Sequence, residues 1–127
     1  MNVVDSSAWI EYLENGPGAD DFARPIEDTD ALLVPAIVLY EVFKQTLRTR
    51  GEKDAHSVAV AMQQGRVVDI DSSLALAAAR ISRDLGLAMA DSLIFATARA
   101  HGATLWTQDD DFVGLPDVRY FAKAGSP

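Results

Sequence analysis

The stretch Asn2-Val3-Val4-Asp5-Ser6-Ser7-Ala8 decides the fold. A short apolar run ends in Asp-Ser-Ser, whose side chains can accept hydrogen bonds from the first amides of a helix. It therefore reads as a strand over 2–5 and a helix running to residue 14, capped at Asp5 or Ser6. Further strand-then-helix signals follow. Residues 31–34 (ALLV) read as a strand, and Pro35 suits the first turn of a helix running to about residue 50. Residues 66–70 (RVVDI) read as a strand, after which Asp71 or Ser72 caps an alanine-rich helix ended by Gly86. Residues 103–107 (ATLWT) are a strand opening into the acidic loop 108–111, and 118–121 (VRYF) a last, edge strand. Asn15-Gly16-Pro17-Gly18 breaks the first helix, and further helices cover 19–26, 52–64 and 90–100. Short apolar strands alternating with helices predict a three-layer α/β/α sandwich around a mainly parallel sheet.

The chain of 127 residues fits one compact domain, expected over 1–122, with a frayed tail at 123–127. Hydrophobic residues at 49% and charged residues at 24% exclude a disordered chain. The absence of cysteine excludes disulfides, thiol catalysis and cysteine-held zinc, and is compatible with a reducing cytoplasm. No signal peptide and no window near the ~20 apolar residues of a bilayer span is present, so a soluble protein is expected. The net charge of −8 argues against nucleic acid as a partner, because phosphate-binding surfaces are normally basic. Bound divalent cations weaken that objection: two would bring the charge to about −4 and make an acidic pocket attractive to phosphate.

The acids are the residues hardest to read as ordinary surface. Ligands of an open parallel sheet bind beyond the carboxyl ends of its strands. Asp5 closes the first strand and Asp109 lies just past the strand ending at Thr107, so both are aimed at one edge. Asp5 also reads as a helix cap. Glu41 sits in AIVLYEVFKQTL among Val38, Leu39, Val42 and Phe43, where an unpaired charge is costly; Lys44 and Gln45 are possible partners. Glu41, Lys44 and Arg48 share a helix stripe, which places two cations beside an acidic pocket, suited to a phosphate backbone. Asp91 opens an apolar helix, where the helix dipole or a site role could explain it. Asp109-Asp110-Asp111 is either a solvated loop or a cation ligand set, with Thr107 and Gln108 placed to orient ligands.

Two carboxylates about 4 Å apart repel by roughly 4 kcal/mol at an effective dielectric near 20. Converging acids therefore need protons or cations. All-oxygen ligation selects Mg²⁺ or Mn²⁺ over zinc, and such ions act as Lewis acids on phosphoryl oxygens. His56 and His101 read as structural, and Trp9, Trp106 and Tyr40 as core or interface residues.

Four segments in order, Val4-Asp5-Ser6-Ser7-Ala8, Pro35…Tyr40-Glu41-Val42, 87–94 (LAMADSLI) and 105–112 (LWTQDDDF), give the whole chain a resemblance to the PIN-domain family, and specifically to VapC-type toxins and their FitB-like relatives. The resemblance implies a Mg²⁺- or Mn²⁺-dependent endoribonuclease acting on structured RNA. It further implies a cognate VapB-like antitoxin, dimerisation and a cytoplasmic location. Asp5, Glu41, Asp91 and Asp109 match the family's acidic quartet, Asp111 a fifth acidic position of some members, and Ser6 and Thr107 polar positions beside the metals. Two other readings compete. An aspartyl-phosphate protein would also place an acid at a strand end, but one such class expects a second Asp where Ser7 stands, and Lys123 is the only late lysine. The remaining reading is a non-catalytic acidic module docking a basic partner.

Overall fold

In a computed structural model, residues 1–124 are described; the last three residues of the expected frayed tail, 125–127, lie outside them. The strands are β1 (Asn2–Val4), β2 (Leu32–Pro35), β3 (Arg66–Val68), β4 (Thr104–Thr107) and β5 (Val118–Tyr120). The helices are α1 (Ser6–Leu13), α2 (Ala19–Glu27), α3 (Ala36–Arg50), α4 (Glu52–Met62), α5 (Ser72–Leu85) and α6 (Met89–Ala100). The sheet order is β3-β2-β1-β4-β5 and every pairing is parallel, so the sheet is wholly and not just mainly parallel.

Chain direction follows from crossover geometry. From β1 the chain steps outward through β2 to β3, then α5 and α6 carry it back across the sheet to β4 on the other side of β1. Right-handed crossovers put helices on opposite faces for the two directions. On one face Phe22 of α2 meets Phe121 edge-on, with ring centroids 5.4 Å apart. On the other, α6 packs across β1, β2 and β4. The result is the expected three-layer sandwich, its core formed by residues such as Val3, Leu33, Leu105, Trp9 and Phe112, all essentially inaccessible. β1 and β2 bury apolar side chains on both faces, as a sheet covered twice requires.

Local chemistry sets the boundaries. Asp5 and Asp71 are true N-caps, accepting from Ala8 N and Leu74 N, and Gly86 closes α5 at φ +72°, where a side chain would be strained. Most expected boundaries move by a residue or two, and two of the shifts have a clear local cause. Residues 29–31 form a 3₁₀ turn, so β2 starts at Leu32 rather than at 31. β3 ends at Val68, leaving Ile70 exposed, because its one neighbour β2 ends at the paired Pro35 and turns into α3.

Candidate metal centre

The reversal of strand order at β1 and β4 leaves a crevice beyond their carboxyl ends. Asp5 and Thr107 project into it from adjacent strands. Asp5 is 3% exposed, and both of its oxygens are held. Oδ1 accepts from Ala8 N (2.9 Å) and Ser7 Oγ (2.8 Å), and Oδ2 from Thr107 Oγ1 (2.5 Å). The same Thr107 oxygen accepts from Asp109 N at 2.8 Å, so one hydroxyl ties β1 to the loop after β4. Burial pushes the Asp5 carboxyl up to about 6; the bonds from Thr107, Ala8 and Ser7 hold it lower, and the charge of Asp109 adds a smaller upward push. Asp5 is therefore both the helix cap and a member of the crevice.

The acidic loop contributes through its backbone geometry. Residues 110–112 form a 3₁₀ turn whose cap is Asp109, its Oδ1 accepting from Asp111 N at 2.9 Å. Asp91 reaches the same place from the first turn of α6. One carboxylate oxygen each of Asp91, Asp109 and Asp111 lies within 4.8 Å of the other two. Asp110 is exposed and is not part of this group. Burial, then the charges of Asp109, Asp111, Asp5 and Glu41, push the Asp91 carboxyl up to about 7. The cap of α6 is Ala88, not Asp91, so a capping role does not account for the acid.

Glu41 faces the crevice from α3 and is half-buried; its partner is Ser6 Oγ at 2.5 Å, thirty-five residues away in sequence, and not Lys44 or Gln45 as its helix position suggested. Lys44 instead lies 5.7 Å from the centroid of the Tyr40 ring. Tyr40 is 57% exposed, which removes the core half of its reading as a core or interface residue. Ser6, Tyr40, Glu41, Lys44 and Arg48 line an open groove of about 390 Å³, so the acid and the two cations of that stripe do share one surface. His101 is structural, Nδ1 donating to Thr97 O at 2.9 Å. Trp9 is core and Trp106 packs against Phe121. Lys123 is exposed and is not among the charges acting on Asp5, which removes the main support for an aspartyl-phosphate reading.

The donor set is made of carboxylate and hydroxyl oxygens alone, crowded enough that one carboxyl is driven toward protonation. That fits a hard divalent cation of the Mg²⁺ or Mn²⁺ type and does not fit zinc. A wholly parallel α/β/α sandwich with an acidic crevice at its strand-order switch is the class of protein that fold and site define. A family model for the PIN domain matches residues 3–117, and the chain belongs to that family.

Solved structures agree on the fold. A toxin–antitoxin complex from Klebsiella pneumoniae superposes with a TM-score of 0.83 at 19% identity, covering 97% of this chain and 100% of that one. VapC20 of Mycobacterium tuberculosis, described as a sarcin-ricin loop cleaving toxin, gives 0.74 at 21% identity, covering 94% and 99%. FitAcB from Neisseria gonorrhoeae gives 0.71 at 23% identity, covering 95% and 96%. No curated protein matches the chain by sequence.

Proposed function

We propose that the protein is a divalent-metal-dependent endoribonuclease and the toxin half of a toxin–antitoxin pair. The observation that carries the reading is the group of Asp91, Asp109 and Asp111, with Asp5 and Glu41 close enough to raise the Asp91 carboxyl further. So many acids in one crevice are unfavourable for stability alone and favourable for holding a cation. Asp91, Asp109 and Asp111 would hold Mg²⁺ or Mn²⁺ directly, with Asp5 and Glu41 completing the acidic quartet Asp5, Glu41, Asp91 and Asp109. When bound, such an ion supplies Lewis-acid stabilisation of charge developing on a phosphoryl oxygen.

The chain's own residues do the rest. Ser6 and Thr107 fix the carboxylates of Glu41 and Asp5 through their hydroxyls, so these acids do not reorient when a polyanion arrives. Lys44 and Arg48 extend from the same crevice along α3, on one side of Glu41, and would hold the phosphate backbone leading away from the bond being cut. The structural neighbours that are toxin–antitoxin assemblies support a VapB-like antitoxin as partner, and the M. tuberculosis neighbour supports RNA as substrate. A homodimer and a cytoplasmic setting complete this reading.

The test is cleavage of RNA by purified protein with Mg²⁺ or Mn²⁺. Activity is expected to vanish with EDTA and to fall by at least ~10²-fold in Asp5→Asn and Asp91→Asn. Cleavage that persists in either folded variant overturns the assignment of the site.

A further inference from the structure

A second charged feature lies away from the crevice. Asn2 and Thr104 open β1 and β4 in register, and Trp106 pairs with Arg119 of β5 one step further along. Side chains alternate across a sheet, so Asn2, Thr104, Trp106 and Arg119 share the face covered by α2, while Asp5 and Thr107 point to the other. With Arg24 of α2 and Asp28 just beyond its end, they enclose a notch of about 300 Å³.

Its construction is rigid. The guanidinium of Arg119 lies 4.4 Å from the centroid of the Trp106 ring, and Phe121 stacks parallel to that ring at 6.0 Å. Trp106 Nε1 donates to Asn2 Oδ1 at 2.8 Å, which fixes the Asn2 amide with its NH₂ group unused by this bond. Among the described residues the only ion pair is Arg83–Asp84, so neither Arg24 nor Arg119 is held in one, although Arg24 shares α2 with Asp20, Asp21 and Glu27. In a chain of net charge −8, two exposed and unpaired arginines from separate elements converge on one notch. Two guanidinium forks, an amide NH₂ and the Thr104 hydroxyl are donors; Asp28 is the single acid among them. Planar guanidinium forks match oxyanions, and a fork already held against an indole loses little freedom on binding one.

We propose that this notch is a second anion site built to take a phosphate group, and that the group is a backbone phosphate of bound RNA. The site lies about 10 Å along the strands from the carboxylate crevice, three residues at ~3.3 Å each, and on the other face of the sheet. It would give the enzyme a grip on its substrate remote from the carboxylates and additional to that of Lys44 and Arg48. The phosphate site stands on its own geometry; its assignment to RNA rests on the nuclease reading above.

The experiment is titration of the intact protein, in EDTA, with inorganic phosphate and separately with a short oligoribonucleotide. It is read on the NMR signals of the Trp106 indole N–H and the Arg24 and Arg119 Nε–H groups. Both probes are expected to shift these signals. Arg24→Gln and Arg119→Gln should each weaken RNA binding by about tenfold and lower the slope of log K against log salt by about one. Arg119→Lys should fall between, keeping the charge without the fork, and Asp28→Asn should tighten binding. Arg24 is exposed on α2, so its variant keeps the test open if Arg119→Gln disturbs β5. Signals moved by phosphate alone uphold the anion site and overturn its assignment to RNA. Signals moved by neither overturn the proposal. Intact binding in a protein that never cleaves RNA overturns the nuclease reading and leaves this site standing.

Discussion

Replacing Asp91 by Asn removes one charge from the most crowded point of the crevice. The carboxyl is raised from 3.8 to about 7, so between those values the folded protein binds the proton more tightly than the unfolded chain does. Stability therefore falls as pH rises through this window, and the full penalty is present above pH 7. A shift of that size corresponds to roughly 4 kcal/mol without screening. The side chain is half-buried, and solvent and salt cut this to about 1–2 kcal/mol. The favourable pull of the α6 dipole on a first-turn acid, about 0.3–1 kcal/mol, is lost with the charge and sets the lower end of that range.

Asp91→Asn should thus raise the thermal midpoint of the metal-free protein by about 4–8 °C at pH 8, given roughly 4 °C per kcal/mol for a chain of this size. The gain should shrink toward zero near pH 4. Thermal unfolding followed by circular dichroism in EDTA, at pH 4, 6 and 8, measures this directly. Adding Mg²⁺ should stabilise the wild type more than the variant and close the gap, since the ion binds only the folded crevice. A variant less stable than wild type at pH 8, or a difference that does not change with pH, would refute the account of Asp91 as a strained acid.

Three further outcomes are expected. Asp5→Ala should cost about 2–3 kcal/mol in urea unfolding, because Ala8 N and the Thr107 hydroxyl lose their buried acceptor, whereas Asp5→Asn keeps an acceptor for the cap and should cost under about 1.5 kcal/mol. Ser6→Ala frees Glu41 without touching the core and should lower kcat by about tenfold with an unchanged thermal midpoint; a change confined to KM would count against the positioning role. Lys44→Gln and Arg48→Gln should each raise KM for RNA at similar kcat, with a salt dependence shallower by about one unit, read from initial rates at several salt concentrations.

Much of this arrangement is legible in the residues. The runs at β1, β2 and β4 are apolar because both faces of the sheet are covered, and Asp5, Asp71 and Gly86 mark helix ends by chemistry that acts locally. The 3₁₀ turns at 29–31 and 110–112 carry no such mark, since three residues cannot show a period. Asp5 and Asp109 point to one edge by strand polarity alone, but the sequence does not reveal that β1 and β4 are neighbours. Nor does it select among Asp109, Asp110 and Asp111, because that choice depends on the turn Asp109 caps. Glu41 was conspicuous for its apolar helix, yet its partner Ser6 comes from another element, where helix spacing cannot look. The Arg24 and Arg119 notch left no signal at all: its residues are separated by most of the chain and meet only through the pairing of β1, β4 and β5 and the packing of α2 on that sheet.

The Thr107 hydroxyl that holds Asp109 also bonds to Asp5, 102 residues earlier in the chain. β1 is made first, yet it stays without its β4 neighbour until nearly the whole domain has been synthesised. Contacts of such long range form late in folding, after loop closure has been overcome. A nascent or partly opened chain therefore has its acids scattered and nothing with which to gather a cation. The cation-holding geometry is therefore a product of the completed fold and of no smaller piece of the chain.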